Sequence, residues 1–259
     1  MVEEKVVISS LLKQLRLGTM TTHWEELHHK AIKEGWTSAE YLKALCEHEL
    51  SSRGDRRLSR NMKEAKLPRG KSLSTFDFSV VPSLNKTQIA GFAKGCSWIE
   101  KGENILLLGR VSGCGKTHLA AAIGEGLVTV GYRVLFTRTT DLIQELQAAK
   151  KELRLTSAIS KMNKYDCIIA DDWGYVKKDE AETALLFELI CSRYENKSLL
   201  ITSNQHFTEW DKIFVNEAMA VAVVDRLIHH AHILEFNVPS YRTREAFARI
   251  KSNTSMMGQ

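Results

Sequence analysis

Three groups of side chains in this sequence could act together on a phosphoanhydride. The first is Gly113-Cys114-Gly115-Lys116-Thr117, which follows the apolar run 105–108 and leads into the helical pattern His118-Leu119-Ala120-Ala121-Ala122-Ile123. Glycines let successive backbone N–H groups turn toward one anion, and the helix N-terminus adds partial positive charge. Lys116 would reach the β- and γ-phosphates, and the Thr117 hydroxyl would hold Mg²⁺. Gly109, Ser112 and His118 complete the expected nucleotide cradle around these residues. The second group is Asp171-Asp172, which closes the apolar stretch Cys167-Ile168-Ile169-Ala170. Asp171 would hold Mg²⁺ through water, and Asp172 would polarise the attacking water. The third is Asn204 at the tip of Ser198-Leu199-Leu200-Ile201-Thr202-Ser203, where an amide could orient that water. Each group also has a plainer reading: a glycine turn, a polar strand end, a turn-forming Asn.

The loop departs from the strict spacing, in which glycine would stand at 110. The chain has Arg110 there, with Gly109 one residue too early, as though one residue had been inserted at the loop entry. The half from Gly113 to Thr117, which makes most of the anion cradle, is intact.

The elements needed to position these groups are legible. Strand-like runs at 105–108, 133–137, 165–170, 198–204 and 232–237 alternate with helical patterns. These include 86–99, the stretch to about 130, a helix capped by Thr140 or Asp141, 181–195 and 216–230. Such alternation predicts an α/β fold with a parallel five-stranded sheet covered on both faces. Ligands of such sheets sit at the carboxyl ends of the strands, where Thr117, Asp171, Asp172 and Asn204 fall.

Residues 1–71 read as a separate helical region, 72–250 as the nucleotide-binding core, and 251–259 as a frayed tail. In the first region, Leu11, Leu12, Leu15 and Leu17 mark one helix. Thr21 or Thr22 would cap a second, which Gly35 ends, and Thr37-Ser38-Ala39-Glu40 is a capping box opening a third. Trp24, Trp36 and Tyr41 read most simply as the core of this bundle, with base stacking the sharper alternative. Arg53, Arg56, Arg57, Arg60 and Lys63 recur at helical spacing and would track DNA phosphates; a solvated helix face is the other reading. Phe76 and Phe78, upstream of the core, would flank an adenine or serve as a hydrophobic hook.

Composition excludes little but agrees. The 259 residues are 44% hydrophobic, enough for a sizeable core, and the net charge of +5 suits an acidic polymer. Cys46, Cys96, Cys114, Cys167 and Cys191 are scattered and odd in number, which argues for a reducing compartment and against disulfides. With no signal-peptide core or membrane-length apolar run, a cytoplasmic location is expected. His229, His230 and His232 match no metal-ligand spacing, so no metal is expected there.

Taken together, Leu108–Ala120, Ile168–Tyr175, Leu200–Asn204, Asp225-Arg226-Leu227, Ser240-Tyr241-Arg242 and Thr75-Phe76-Asp77-Phe78 resemble the IstB-type ATP-binding proteins of bacterial insertion sequences. That family is similar to the helicase-loader branch of the AAA+ ATPases. The resemblance implies an AAA+ core, ATP and Mg²⁺ as ligands, and hydrolysis stimulated by DNA or a partner; only about 22 residues follow the last strand, too few for the usual AAA+ helical lid, so no C-terminal lid is expected. It implies Asn204 as the sensor-1 residue, Arg226 as an arginine finger in trans, and Arg242 as a sensor-2-like contact. It further implies homo-oligomers on duplex DNA that present the target to an IstA-type transposase. Asp172 stands where many AAA+ proteins have Glu, which points to slow turnover. A replicative helicase loader and an ATP-dead DNA-binding scaffold are the competing readings.

Overall fold

The structure, a computed structural model, describes residues 2–174, 178–214 and 217–244. It divides into two compact units, Met1–Arg60 and Asn61–Gln259. The first holds α1 (Val2–Gln14), α2 (Gly18–Glu34) and most of α3 (Ser38–Glu64). Met20, Trp24, Leu27 and Leu45 form its core, with Leu12, Leu17 and Tyr41 packed against them. Trp36 lies outside that core; its indole donates to Glu34, and the Lys30 ammonium lies 5.3 Å from its ring.

The start of α2 is not capped by Thr21 or Thr22, whose hydroxyls instead donate back to the carbonyls of Leu17 and Gly18. Buried Glu49 of α3 does the capping, accepting the N–H groups of Thr19 (2.8 Å) and Met20 (3.0 Å). Its burial would raise the carboxyl pKa, but the bonds from Arg53, Met20 and Thr19 outweigh it and leave the pKa below the usual value. A tertiary cap of this kind satisfies the helix's orphan donors as well as a local one, and no local spacing reveals it. The predicted Thr37–Glu40 capping box is present: Glu40 N–H donates to Thr37 Oγ1 and Thr37 N–H to Glu40 Oε2. The basic run is the second half of α3 rather than a helix of its own, and it ends at Glu64, before Pro68.

The second unit carries a 3₁₀ turn at Phe78–Val80, then α4 (Lys86–Ala93), α5 (Cys96–Glu100), β1 (Asn104–Leu108), α6 (Lys116–Thr129) and β2 (Val134–Arg138). It continues with α7 (Thr139–Lys151), α8 (Leu155–Met162), β3 (Cys167–Asp171), α9 (Glu180–Arg193), β4 (Ser198–Ser203), α10 (Glu217–Ile228) and β5 (Ala231–Glu235). The strands form one parallel sheet in the order β2-β3-β4-β1-β5. Alternate residues of β1 divide between two cores, as the pleat requires. Ile105 and Leu107 pack with α4, α5 and α6, and Leu106 and Leu108 pack with α7, α9 and α10.

Several elements differ from their expected bounds. The expected helix over 86–99 is two helices broken at Gly95 (φ +82°), where a Cβ would lie 2.2 Å from the Tyr132 ring. The helix after β2 starts at Thr139, ahead of either expected cap. α8 gave no separate sequence signal; Leu153, at φ +55°, breaks the basic stretch there. The expected frayed tail lies outside the described residues. No described helix is long and apolar enough to cross a membrane.

Candidate functional site

β1 delivers the chain into the glycine loop, and positive φ at Gly113 (+82°) and Gly115 (+108°) turns the loop into the start of α6. Those angles are open to glycine and strained for side chains bearing a Cβ. The extra residue at the loop entry is absorbed outward. Arg110 is exposed and pairs with Glu209 at 3.4 Å, away from the glycine cradle. Lys116 is buried, and its ammonium donates to Gly109 O (2.6 Å) and Val111 O (3.0 Å) and lies 3.4 Å from Cys114 Sγ. The lysine is thus folded along the loop, beside the backbone that would surround phosphates.

β3 ends in the cluster that faces the start of α6. Asp171 Oδ1 accepts from Thr117 Oγ1 at 2.9 Å and from Thr202 Oγ1 at 2.5 Å. Burial raises the Asp171 pKa above the usual carboxylate value; the bonds from Thr202 and Thr117 oppose this, and neighbouring Asp172 adds to it. Thr202 also accepts the Asp172 N–H, and Thr139 Oγ1 donates to Asp171 O. Spacing alone did not single out Thr139 and Thr202. Their signal is their place at the ends of neighbouring strands.

Asp172 is exposed and sits at φ +59°, a left-handed conformation uncommon outside glycine but more open to Asp than to most residues. It lines a small cavity of about 90 Å³ with Thr139, Thr140, Gln144, Lys178 and Glu182. Lys178 is buried and donates to Trp173 O at 2.7 Å; burial, partly offset by Glu182, pulls its pKa down to about 8. Asn204 follows β4, and its Oδ1 is buried with no hydrogen-bond partner among the described residues. A polar atom left in that condition is poised for a ligand or water.

Two further segments close on the loop. Ser240 and Arg242 pack against Gly113, where a Cβ would meet Ser240 Oγ at 2.7 Å and Arg242 Cδ at 3.2 Å; Tyr241 N–H donates to Gly113 O. On the other side, His118 lies within hydrogen-bond distance of Thr75 Oγ1 (3.1 Å) and Ser72 O (3.2 Å). The Phe76 ring meets His118 edge-on and lies against Gly115, while Phe78 meets Phe76 edge-on. Phe76 is therefore part of the wall beside the glycine loop as well as of the core.

Arg226 is not with these groups. It lies near the end of α10, before β5, whose first residues pair with the first residues of β1. That is the end of the sheet opposite the loop. Its guanidinium lies over the rings of Phe187 (5.4 Å) and Tyr194 (6.0 Å). Among the basic residues of α3, Arg53 is bound to Glu49 and Arg16 O, and Arg56 to Thr19 and Ser52. Arg57, Arg60 and Lys63 are exposed and make no hydrogen bond or ion pair among the described residues.

The donor set fits a nucleotide and a hard cation. The loop offers backbone N–H groups and a buried ammonium, and Thr117 and Asp171 offer adjacent hard oxygens of the kind Mg²⁺ takes.

A family model described as IstB-like ATP binding protein matches residues 10–248. An insertion-sequence ATP-binding protein of Sinorhizobium fredii is 54% identical over 236 residues, covering 91% of this chain and 79% of that protein. The IS21 ATP-binding protein of Pseudomonas aeruginosa is 36% identical over 235 residues, covering 91% and 88%. Among solved structures, the DnaC helicase loader superposes with a TM-score of 0.52 at 22% identity, over 65% of this chain and 98% of that one. AMPPCP-bound DnaA from Aquifex aeolicus gives a TM-score of 0.54 at 19% identity, over 66% and 51%. These last two likenesses are of fold: a P-loop α/β sheet of AAA+ type.

Proposed function

This chain belongs to the family of IstB-like ATP-binding proteins, and from that premise we propose that it is an ATP-hydrolysing switch of DNA transposition. It binds ATP, assembles on duplex DNA, and in that state recruits the transposase encoded with it. The observation that carries the reading is the Thr117–Asp171–Thr202 cluster set against the glycine loop, with Arg242 packed on Gly113. Lys116 exchanges its loop carbonyls for β- and γ-phosphate oxygens, a gain because those oxygens are anionic and each bond becomes an ion pair as well. Thr117 and Asp171 hold Mg²⁺, which when bound neutralises phosphate charge. Asp172 accepts a proton from the attacking water, and Asn204, whose Oδ1 has no hydrogen-bond partner among the described residues, orients that water.

Arg226, at the far end of the sheet, acts on the nucleotide of a neighbouring copy. This couples hydrolysis to assembly, because the positive charge reaches the transition state only when copies stack. Arg57, Arg60 and Lys63 are the cations of α3 left for DNA phosphates. The domain bounds 1–71, 72–250 and 251–259 and a cytoplasmic site of action belong to the same reading.

The test is ATP hydrolysis with and without duplex DNA across a range of protein concentrations. Stimulation that rises steeply with protein concentration is expected. Binding of ATP with no hydrolysis under any of these conditions would overturn the ATPase reading, and no ATP binding at all would leave an ATP-dead DNA-binding scaffold.

A further inference from the structure

The corner of the sheet that carries Arg226 holds a second cluster. Glu195 follows α9, and His229 and His230 form the turn between α10 and β5. One ligand atom from each of the three lies within 4.8 Å of the others, and all three residues are exposed. His230 Nε2 is 3.6 Å from Glu195 Oε1. The His229 ring is itself held, with Nδ1 2.7 Å from the Tyr194 hydroxyl. With Nδ1 so held, Nε2 would be the ligating nitrogen, and a metal-binding imidazole is usually fixed by a partner on its other nitrogen. The two histidines are adjacent in sequence and their carboxylate partner comes from another helix end. This is why the spacing of 229, 230 and 232 matched no ligand pattern. His232 is not part of the group; it faces Glu103 at 2.9 Å.

We propose that Glu195, His229 and His230 form a binding site for a divalent transition metal of the Zn²⁺ or Co²⁺ kind. Two imidazoles and a carboxylate are a borderline donor set, suited to these ions rather than to Mg²⁺ or Ca²⁺. Three protein ligands leave a coordination position open, and exposure gives the ion a path in. The site would tie the end of α9 to the end of α10. Tyr194 links it to Arg226, since the hydroxyl contacts His229 and the ring underlies the guanidinium. A bound ion would then steady the perch from which Arg226 is presented. That consequence rests on reading Arg226 as a finger in trans; the site itself does not.

The experiment titrates the full chain, free of nucleotide, with Co²⁺ followed by its visible absorption, and with Zn²⁺ followed by calorimetry. One ion per chain is expected from this corner. Glu195→Gln and His230→Ala should each weaken it by more than about tenfold, and Tyr194→Phe by roughly 10- to 100-fold as an outer-shell loss. The paired change His28→Ala/His29→Ala controls for another exposed histidine pair and should leave this ion in place, as should Arg226→Ala. Unaltered binding of an ATP analogue checks that each variant is folded. In the unmutated chain, Zn²⁺ should also protect His229 and His230 from diethylpyrocarbonate, read by mass spectrometry. Millimolar or absent binding by the wild type would overturn the site. So would binding that survives both Glu195→Gln and His230→Ala, or histidine modification unaffected by Zn²⁺.

Discussion

Lys116 is buried and donates to carbonyls of its own loop. Removing it strips the loop of its one inward positive charge while leaving the backbone turn, which Gly113 and Gly115 set. Lys116→Ala should therefore weaken ATP binding by about 10- to 100-fold, the worth of one or two charge-assisted bonds. Fluorescent-analogue titration measures it, and unchanged affinity would contradict the assigned role. Lys178 makes the opposite case, a cation the fold carries at a cost. The unfolded chain keeps that proton up to about pH 10.5, whereas the folded chain keeps it only to about 8. Below pH 8 the folded state bears a desolvated ammonium. Between the two values the unfolded state binds more protons, so the stability contribution rises with pH. Lys178→Met, allowing for the ammonium's lost contacts, the bond to Trp173 O among them, should raise stability at pH 7 on the order of 1–2 kcal/mol. The gain should shrink by pH 10. Denaturant melts at the two pH values decide this, and equal destabilisation at both would refute it.

At the scale of elements, Arg193 shows how the strand ends opposite the loop are tied together. It is fully buried at the end of α9 and donates to the carbonyls of Met162 (3.1 Å), Tyr165 (3.1 Å) and Ser198 (2.9 Å). Burial pulls its pKa down to about 10, so it stays charged at neutral pH. Arg193→Met leaves those carbonyls without their donor. It should cost about 3 kcal/mol or more, because each of three buried carbonyls left unpaired costs about 1–3 kcal/mol, partly offset by removal of the desolvated guanidinium. A fall in melting temperature without a matching change in ATP affinity of the folded fraction would bear this out; an unchanged melt would not.

Arg193 also marks the limit of what could be read from the sequence. The glycine loop, Asp171 and the alternation of strands and helices were legible because their chemistry is local, in a turn, a strand end or a period of apolar residues. Glu49 capping α2, Thr202 holding Asp171 and Asp172, and Glu195 meeting His229 and His230 were not. Each of these depends on two elements being brought together by packing, and the residue types alone carry no mark of it. The two aromatics Phe76 and Phe78 were legible as important but not as to where. The fold sets Phe76 against Gly115 and His118 and keeps it in the core as well.

At the scale of the whole molecule, assembly on DNA requires a DNA-facing surface and a neighbouring copy. Arg57, Arg60 and Lys63 are the cations of α3 without partners among the described residues, so changing all three to Ala should weaken duplex binding. The slope of log affinity against log salt should fall by about 0.9 for each phosphate no longer neutralised. An unchanged slope would move the DNA surface elsewhere on the chain. The neighbouring copy is tested by Arg226, which lies at the opposite end of the sheet from the loop it would serve. The most direct measurement is DNA-stimulated ATP hydrolysis by Asp172→Asn alone, by Arg226→Ala alone, and by their mixture. On the proposed roles, Asp172→Asn would keep its finger but lack the water-activating carboxylate, and Arg226→Ala would keep the carboxylate but lack the finger. Each alone should bind ATP and hydrolyse it at least about 10³-fold more slowly than the wild type. The mixture should recover a measurable share of the wild-type rate, because an Arg226→Ala site can borrow the finger of an Asp172→Asn neighbour. A mixture no more active than its parts, with both variants still binding ATP and DNA, would contradict an arginine acting between copies.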